Sequence, residues 1–164
     1  MPLKKVDHQD IALIQTLAEQ SWRIHYAKIL SKAQIDYMLG KMYATDELLK
    51  HFENPNYHYY LIQNQENQSL GFMGFEVDYQ PQTTMLHRLY LLEEATGKKL
   101  GQLAIDFLKS EAQQQHNQRI ILYVNKENSA RYFYEKQGFS IYDEGIFDIG
   151  NGFVMDDFLM EYRF

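Results

Sequence analysis

Apolar residues in the first third of the chain recur every three or four positions, the spacing of a helix with one buried face. The clearest stretch follows Asp7, a residue suited to cap a helix, and runs to about Ala27. Its apolar positions are Ile11, Leu13, Ile14, Leu17, Ala18, Trp22 and Ile24. Ser31 with Gln34 three residues later has the form of a capping box, which predicts a second helix.

Strand patterns flank and follow these helices. Leu3–Val6 favours a short strand, whereas Asp46–Phe52 predicts a third helix before the break at Asn54-Pro55-Asn56. Tyr57–Gln63 and Leu70–Tyr79, separated by polar turn residues, predict a hairpin, and Thr84–Leu92 predicts another long strand.

Helical spacing returns after Leu92. Five residues form one apolar face and predict a helix that ends near Gln114–Asn117: Leu100, Leu103, Ala104, Phe107 and Leu108. Ile120–Val124 is a continuous apolar run, typical of a strand covered on both faces, and Ser129–Lys136 is helical.

The C-terminal region reads as a final pair of strands. Gly138–Phe147 and Phe153–Phe164 flank Asn151-Gly152, a strong hairpin turn signal. The sequence shows no repeat, low-complexity tract or linker. One α/β domain over residues 1–164 is therefore the simplest account.

Composition narrows the function classes. The chain has no cysteine, which excludes disulfides, thiolate nucleophiles and cysteine-ligated zinc, and a reducing compartment is allowed, so we expect a cytoplasmic protein. A net charge of −6 disfavours nucleic acid as the main partner. The first residues lack the apolar run of a signal peptide, and no stretch approaches the roughly 18 apolar residues of a membrane helix.

The first candidate binding motif is the turn Thr96–Gly101, between a predicted strand and a predicted helix. Such a turn presents unpaired backbone N–H groups at the positive end of the helix dipole, which suits a pyrophosphate. Lys98 and Lys99 add positive charge. The spacing matches neither a Walker-type loop nor the dinucleotide fingerprint, so the turn alone does not identify a ligand.

The segment Asn125–Phe139 is more specific. Its Asn-x-Ala-x-x-Phe-Tyr-x-x-x-Gly-Phe arrangement consists of Asn128, Ala130, Phe133, Tyr134, Gly138 and Phe139. Together with Leu89–Leu108, it resembles the two motifs of the GNAT superfamily of acetyl-CoA-dependent N-acetyltransferases. The resemblance covers most of the chain in element order. It implies an α/β (α+β) fold with a mixed, mostly antiparallel sheet of about seven strands flanked by helices.

The resemblance also implies the coenzyme-binding residues, with acetyl-CoA as co-substrate and no metal ion. The main chain of Leu89, Tyr90 and Leu91 would pair with the pantetheine arm and hold the thioester carbonyl. Asn128 would contact the coenzyme near its pantetheine or thioester end. Tyr134 would lie beside the sulfur as the general acid that protonates the departing thiolate. The pyrophosphate would be held by backbone N–H groups within Gly97, Lys98, Lys99, Leu100, Gly101 and Gln102, with Thr96 before them.

Two positions depart from the family pattern. Thr96 stands where Arg or Gln is common, and Lys99 stands where a middle glycine is common. We expect these changes to affect coenzyme affinity rather than the fold.

The acceptor side is less defined. The run Ser21–Tyr26 and the tail Asp148–Asp157 resemble a bacterial subgroup that includes PaiA-like polyamine acetyltransferases. Trp22 and Tyr26, four residues apart, either line the acceptor pocket or form a core-facing pair. Asp156 and Asp157 either attract a cationic acceptor or form a solvated strand end, with Asp156 carried forward as a substrate contact.

The acceptor ammonium must lose a proton before attack. His87 and Glu76 are the candidate bases, and proton transfer to bulk water is the third route. The resulting prediction is an N-acetyltransferase of a small primary amine or polyamine. A protein or peptide amine acetyltransferase and a catalytically weak acetyl-CoA-binding regulator are the alternatives, and a homodimer is compatible with each. We expect neither nucleic acid nor a membrane as a partner.

Overall fold

The computed structural model describes residues 2–164, which form a seven-stranded sheet in the order β1-β2-β3-β4-β5-β7-β6. The strands are β1 Leu3–Lys5, β2 Tyr57–Gln63, β3 Ser69–Gln80, β4 Thr83–Leu91, β5 Arg119–Asn125, β6 Ser140–Gly150 and β7 Phe153–Arg163. The helices are α1 Ile11–His25, α2 Lys32–Met42, α3 Thr45–Glu53, α4 Leu100–Gln114 and α5 Ala130–Lys136. Neighbouring strands are antiparallel except β4 and β5. The predicted fold class, a mixed and mostly antiparallel sheet with flanking helices, is confirmed.

The residues predicted to cap the first two helices form only part of the predicted hydrogen bonds. Asp7 caps a short 3-10 turn at His8–Asp10, and α1 begins only at Ile11. The Ser31 hydroxyl accepts from the Gln34 amide at 3.1 Å, as predicted. The Gln34 side chain does not complete a capping box, because it donates to the Val154 carbonyl at 2.8 Å and so ties α2 to β7.

The sheet separates two apolar layers. Helices α1, α2 and α3 cover one face, with Trp22, Leu48 and Phe72 at most 1% exposed. Helices α4 and α5 cover the other, where Ala104, Ile105 and Leu108 are fully buried. Alternate residues of the central strands enter opposite layers, and this alternation fixes which face each polar side chain meets.

The parallel pair β4 and β5 is joined only over part of its length. Thr83–Leu86 pairs with Arg119–Leu122, and no further pairing joins the two strands. His87 is an extra residue in β4, since Gly74 pairs with Arg88 while Phe75 pairs with Leu86. A bulge of this kind bends a strand. Residues 87–91 of β4 and 123–125 of β5 therefore do not pair with each other, and we call these two segments the splay.

The C-terminal hairpin forms around the predicted turn. Asn151 and Gly152 both have positive φ, 55° and 80°, as a tight two-residue hairpin turn requires. The hairpin places β7 directly beside β5, and therefore beside the splay. Within residues 2–164, no helix is both long enough and apolar enough to cross a membrane.

Candidate active site

The splay opens a cavity of about 230 Å³ between β4 and β5. Its walls come from α1, β4, β5, the start of α4, and the Asn128–Tyr134 segment. The residues that line it include His25, Tyr26, His87, Leu89, Tyr90, Leu91, Gly101, Tyr123, Asn128 and Tyr134. The structure thus brings residues of both sequence motifs to one cavity.

The end of β4 offers backbone groups to this cavity. On one side, Leu89, Tyr90 and Leu91 pair with Met73, Phe72 and Gly71 of β3. On the other side they lack a β5 partner, so alternate N–H and C=O groups are free to pair with an extended ligand. One of these groups is engaged, because His25 Nε2 lies 2.9 Å from the Leu91 carbonyl oxygen and can only donate to it.

The turn before α4 has the geometry of an anion site. Helix α4 begins at Leu100, so the N–H groups of Leu100, Gly101 and Gln102 form the first turn and lack intrahelical acceptors. Gly97 and Lys99 both have positive φ, 78° and 56°. A Cβ at Gly101 would lie 3.1 Å from the Phe133 ring, so this glycine permits close packing between α4 and α5.

Lys99 is the strained position of this turn. It occupies the left-handed region at the N-cap of α4, where its side chain makes no capping hydrogen bond. A non-glycine residue in this conformation costs roughly 1 kcal/mol. Glycine, which the family resemblance implies for this position, would adopt the same conformation without that cost.

The Asn128–Phe139 segment places Tyr134 in the wall of the cavity. We call the part of the cavity next to Tyr134 the apex of the splay. The Asn128 Oδ1 accepts from the Ala130 amide at 2.9 Å and so holds the first turn of α5. Gly138, at φ 98°, ends the helix, and the Phe139 ring then packs 5.8 Å from Tyr134. The Asn and Gly-Phe of the motif therefore fix the two ends of the short helix that carries Tyr134.

Four polar side chains cluster at this apex. The Tyr26 hydroxyl has the side chains of Tyr90 and Asn128 as polar neighbours, and Tyr134 is close enough to be influenced by it. Burial raises the pKa of Tyr134, and the neighbouring Tyr26 adds to the increase. A raised pKa keeps the phenol protonated, which a proton donor requires.

Two predicted acceptor contacts lie elsewhere. Trp22 is 1% exposed and packs against the rings of Tyr26 and Tyr43 in the core, so it does not line the cavity, whereas Tyr26 does. Lys126 Nζ binds the Asp156 carboxylate at 2.9 Å. Strand alternation turns Asp156 to the sheet face opposite Asp157, which pairs with Asn125 of β5.

The candidate bases form one hydrogen-bonded pair. His87 Nε2 lies 2.9 Å from Glu76 Oε1, and the other Glu76 oxygen accepts from Asn54 at 3.2 Å. Burial lowers the pKa of His87, partly offset by the Glu76 carboxylate. His87 lines the cavity, and its imidazole also lies parallel to the Tyr57 ring at 4.7 Å.

Sequence reasoning missed a buried cation, Arg88, and the aromatic and histidine side chains around it. The Arg88 guanidinium is 7% exposed, donates to the Tyr59 hydroxyl at 2.8 Å and lies 4.4 Å from the Tyr43 ring centroid. The His51 Nδ1 lies 2.8 Å from the same hydroxyl. The bulge at His87 directs Arg88 into the α1–α3 layer, and no sequence signal marked that bulge.

A second depression, of about 680 Å³, lies beside the N-terminus of α4, against the β2–β3 turn. It includes Lys98, Leu100 and Leu103 but neither Tyr134 nor any part of the splay. Its titratable groups, Glu66 and Lys98, line it apart from both Tyr134 and the free backbone of β4, so we assign the chemistry to the smaller cavity despite the larger volume of this depression.

Comparisons with known proteins identify the family. Residues 15–139 match the acetyltransferase (GNAT) family model. A spermidine N(1)-acetyltransferase of Thermoplasma acidophilum is 26% identical over 165 residues, covering 94% of both chains. The crystal structure of the PaiA N-acetyltransferase of the same organism, in complex with coenzyme A, superposes with TM-score 0.83 and 25% identity, covering 99% of this chain and 98% of that one.

A GCN5-related N-acetyltransferase structure from Rhodopseudomonas palustris has TM-score 0.82 at 15% identity, with 99% and 94% coverage, and shows the shared fold. The splay, the helix N-terminus and the family match over residues 15–139 lead to one conclusion. The chain belongs to the GNAT family and is an N-acetyltransferase whose acyl donor is acetyl-CoA.

Proposed function

We propose that this enzyme acetylates a primary amine of a small, polyamine-type molecule by direct attack of the amine on the thioester. The observation that carries the mechanism is the burial of the Tyr134 hydroxyl at the apex of the splay, in one cavity with the free β4 backbone. The acceptor class is supported by the spermidine N(1)-acetyltransferase relative.

The donor half of the reaction follows from the backbone. The pantetheine arm would lie along Leu89–Leu91 as an added strand, and the diphosphate would meet the N–H groups of Leu100–Gln102. A backbone N–H of the splay would stabilise the oxyanion that develops on the thioester carbonyl. Because His25 donates to the Leu91 carbonyl, this end of β4 is held in place before the coenzyme arrives.

The leaving group requires a proton. The amine nitrogen forms a bond to the carbonyl carbon, the carbon–sulfur bond breaks, and the sulfur leaves with the electron pair. Tyr134 donates its phenolic proton to that thiolate and recovers one from the nitrogen of the newly formed amide. The Tyr26 and Asn128 neighbours would hold the Tyr134 helix at this point.

Free-thiol release from acetyl-CoA tests the proposal across spermidine, spermine, putrescine, single amino acids, an aminoglycoside and a lysine-containing peptide. We expect spermidine or spermine to give a kcat/KM at least tenfold above the peptide. A preference for the peptide would make the enzyme a protein acetyltransferase. Coenzyme binding by calorimetry without thiol release for any acceptor would instead indicate a regulatory acetyl-CoA-binding protein.

A further inference from the structure

Asp157 is a buried carboxylate with an unsatisfied oxygen. The residue is 7% exposed, and its Oδ1 has no hydrogen-bond partner within residues 2–164. It also takes part in none of the ion pairs formed by the described residues. Burying a carboxylate in this way costs free energy, which a cationic ligand would recover.

The strand register places this carboxylate beside the reacting cavity. Asp157 of β7 pairs with Asn125, the last residue of β5 and part of the splay. Paired residues share a sheet face, so Asp157 lies on the same face as Asn125 and Tyr123. Its negative charge contributes to the raised pKa of Tyr123 and of Tyr26, and both of these side chains line the cavity.

The strand on the other side of Asp157 contributes an aromatic ring, since the Phe147 ring covers Gly145 and lies 3.1 Å from where a Cβ would stand there. On β6 the residue paired with Asp157 is Gly145, which has no side chain. Phe147, two residues farther along, packs against Tyr123 with ring centroids 5.3 Å apart. A carboxylate beside two aromatic rings is a favourable environment for an ammonium group, since the rings attract cations through their faces.

We propose that Asp157 receives the ammonium group of the acceptor and takes a proton from it. This inference rests on the proposed amine acetylation. The ionised carboxylate accepts one proton from the ammonium nitrogen, and the neutral amine then attacks the thioester. The protonated Asp157 releases its proton to water after the product leaves, so the complete turnover liberates one proton.

The electrostatics of the site support this role. Burial raises the pKa of Asp157 to about 6, with the nearby Asp156 a smaller contribution. The other charged or titratable groups around it are Tyr26 from α1, Tyr123 from β5, Asp143 from β6, and Lys126, which is bound to Asp156. A carboxylate with this pKa is ionised at neutral pH and is a stronger base than an exposed aspartate.

The pair Asp157→Asn and Asp156→Asn provides a matched test, because the two aspartates are adjacent and face opposite sides of the sheet. Spermidine-dependent thiol release is measured from pH 5.5 to 9.5 for both variants and the parent, with acetyl-CoA binding followed by calorimetry. We expect Asp157→Asn to lower kcat/KM at least 100-fold at pH 7 and to remove the acidic limb near pH 6. We expect Asp156→Asn to stay within threefold of the parent.

A second readout separates proton transfer from a purely structural effect. At pH 9.5 more of the free acceptor is already neutral, so the deficit of Asp157→Asn should shrink at least tenfold, with unchanged coenzyme binding. Asp157→Glu, which restores a carboxylate, should recover the acidic limb. The inference is overturned if the parent is active and Asp157→Asn stays within threefold of it, or if its deficit is the same at every pH. A parent that is inactive with every amine would refute the proposed function instead.

Discussion

The imidazole of His51 lies parallel to the phenol ring of Tyr57, with ring centroids 4.3 Å apart and an interplanar angle of 2°. The other side of Tyr57 carries His87 in the same orientation, so the three rings form a continuous stack. His51 Nδ1 lies 2.8 Å from the hydroxyl of Tyr59, which also accepts from Arg88. The stack thus links α3 to the bulged part of β4.

This arrangement predicts a loss of stability in acid. Burial lowers the pKa of His51 to about 4, and the Arg88 charge contributes further. The folded protein therefore binds fewer protons than the unfolded chain below pH 6.5, so stability is complete above that pH and is lost as the pH falls toward 4. We expect His51 to account for about 1–2 kcal/mol of the loss, discounted because the ring is partly solvated.

Urea unfolding at pH 7, 5.5 and 4.5 measures this effect. His51→Gln keeps an acceptor for the Tyr59 hydroxyl but cannot titrate, so its free energy of unfolding should fall less between pH 7 and 4.5 than that of the parent. Equal pH dependence in the two proteins would contradict the assignment.

Tyr134→Phe tests the proton donor. The phenyl ring preserves the packing against Phe139 and Phe133, so coenzyme affinity should change less than twofold. Loss of general-acid assistance should lower kcat about 10²-fold. Thiol release and calorimetric coenzyme binding give the two values, and an unchanged kcat would show that the thiolate leaves without this proton.

Lys99→Gly and Lys99→Ala separate backbone strain from charge. Both remove the ammonium group, but only glycine adopts a φ of 56° without steric cost. We expect Lys99→Gly to be more stable than Lys99→Ala by about 1 kcal/mol in urea unfolding. If charge is the main contribution of Lys99 to coenzyme binding, the two variants should show the same reduced affinity; a difference between them would mean that loop conformation matters as well.

Gly71→Ala should disrupt the end of β4. An added Cβ would collide with the Tyr90 carbonyl oxygen and with Leu91, both fixed by strand pairing. We expect a loss of 2–4 kcal/mol in the free energy of unfolding, together with weaker coenzyme binding.

Gly40→Ala is the matched control for that substitution. Gly40 lies within α2, and an added Cβ meets no atom within 4 Å. Alanine there should raise stability by about 0.5–1 kcal/mol, because it favours the helix. A similar loss in both variants would indicate that contact with Tyr90 is not the cause.

Asp157→Asn should stabilise the enzyme that it inactivates. Because the pKa of Asp157 is raised from 3.8 to about 6, the folded state holds its proton more tightly, and stability declines as the pH rises through that interval. Asparagine avoids the decline, so the variant should exceed the parent by on the order of 1 kcal/mol at pH 7 and match it near pH 4. A less stable variant at pH 7 would indicate a partner for this carboxylate.

The elements along the chain followed from local patterns. Hydrophobic spacing located the helices and strands to within a few residues, because burial on one face imposes a period of 3.6 or 2. The Asn-Gly turn and the Gly-Phe helix end could be recognised because positive φ restricts the residues that can occupy them. The motif around Tyr134 identified the family, because it fixes both ends of one short helix.

The acceptor side depended on contacts between distant segments. Asp156 and Asp157 are indistinguishable by composition, and only the tertiary structure shows that Asp156 binds Lys126 while Asp157 pairs with Asn125 at the end of β5. Trp22 and Tyr26 share a helix face, yet packing buries the first in the core and leaves the second at the cavity wall.

By itself the sequence determined the order of elements, the donor motifs and the reaction class, since these depend on residues close together in the chain. The tertiary structure decided where β4 and β5 separate, how the bulge at His87 directs Arg88, and which of the two aspartates pairs with Lys126. Strand register and bulges arise from pairing across long sequence separations, and a one-residue shift sends a side chain to the opposite face.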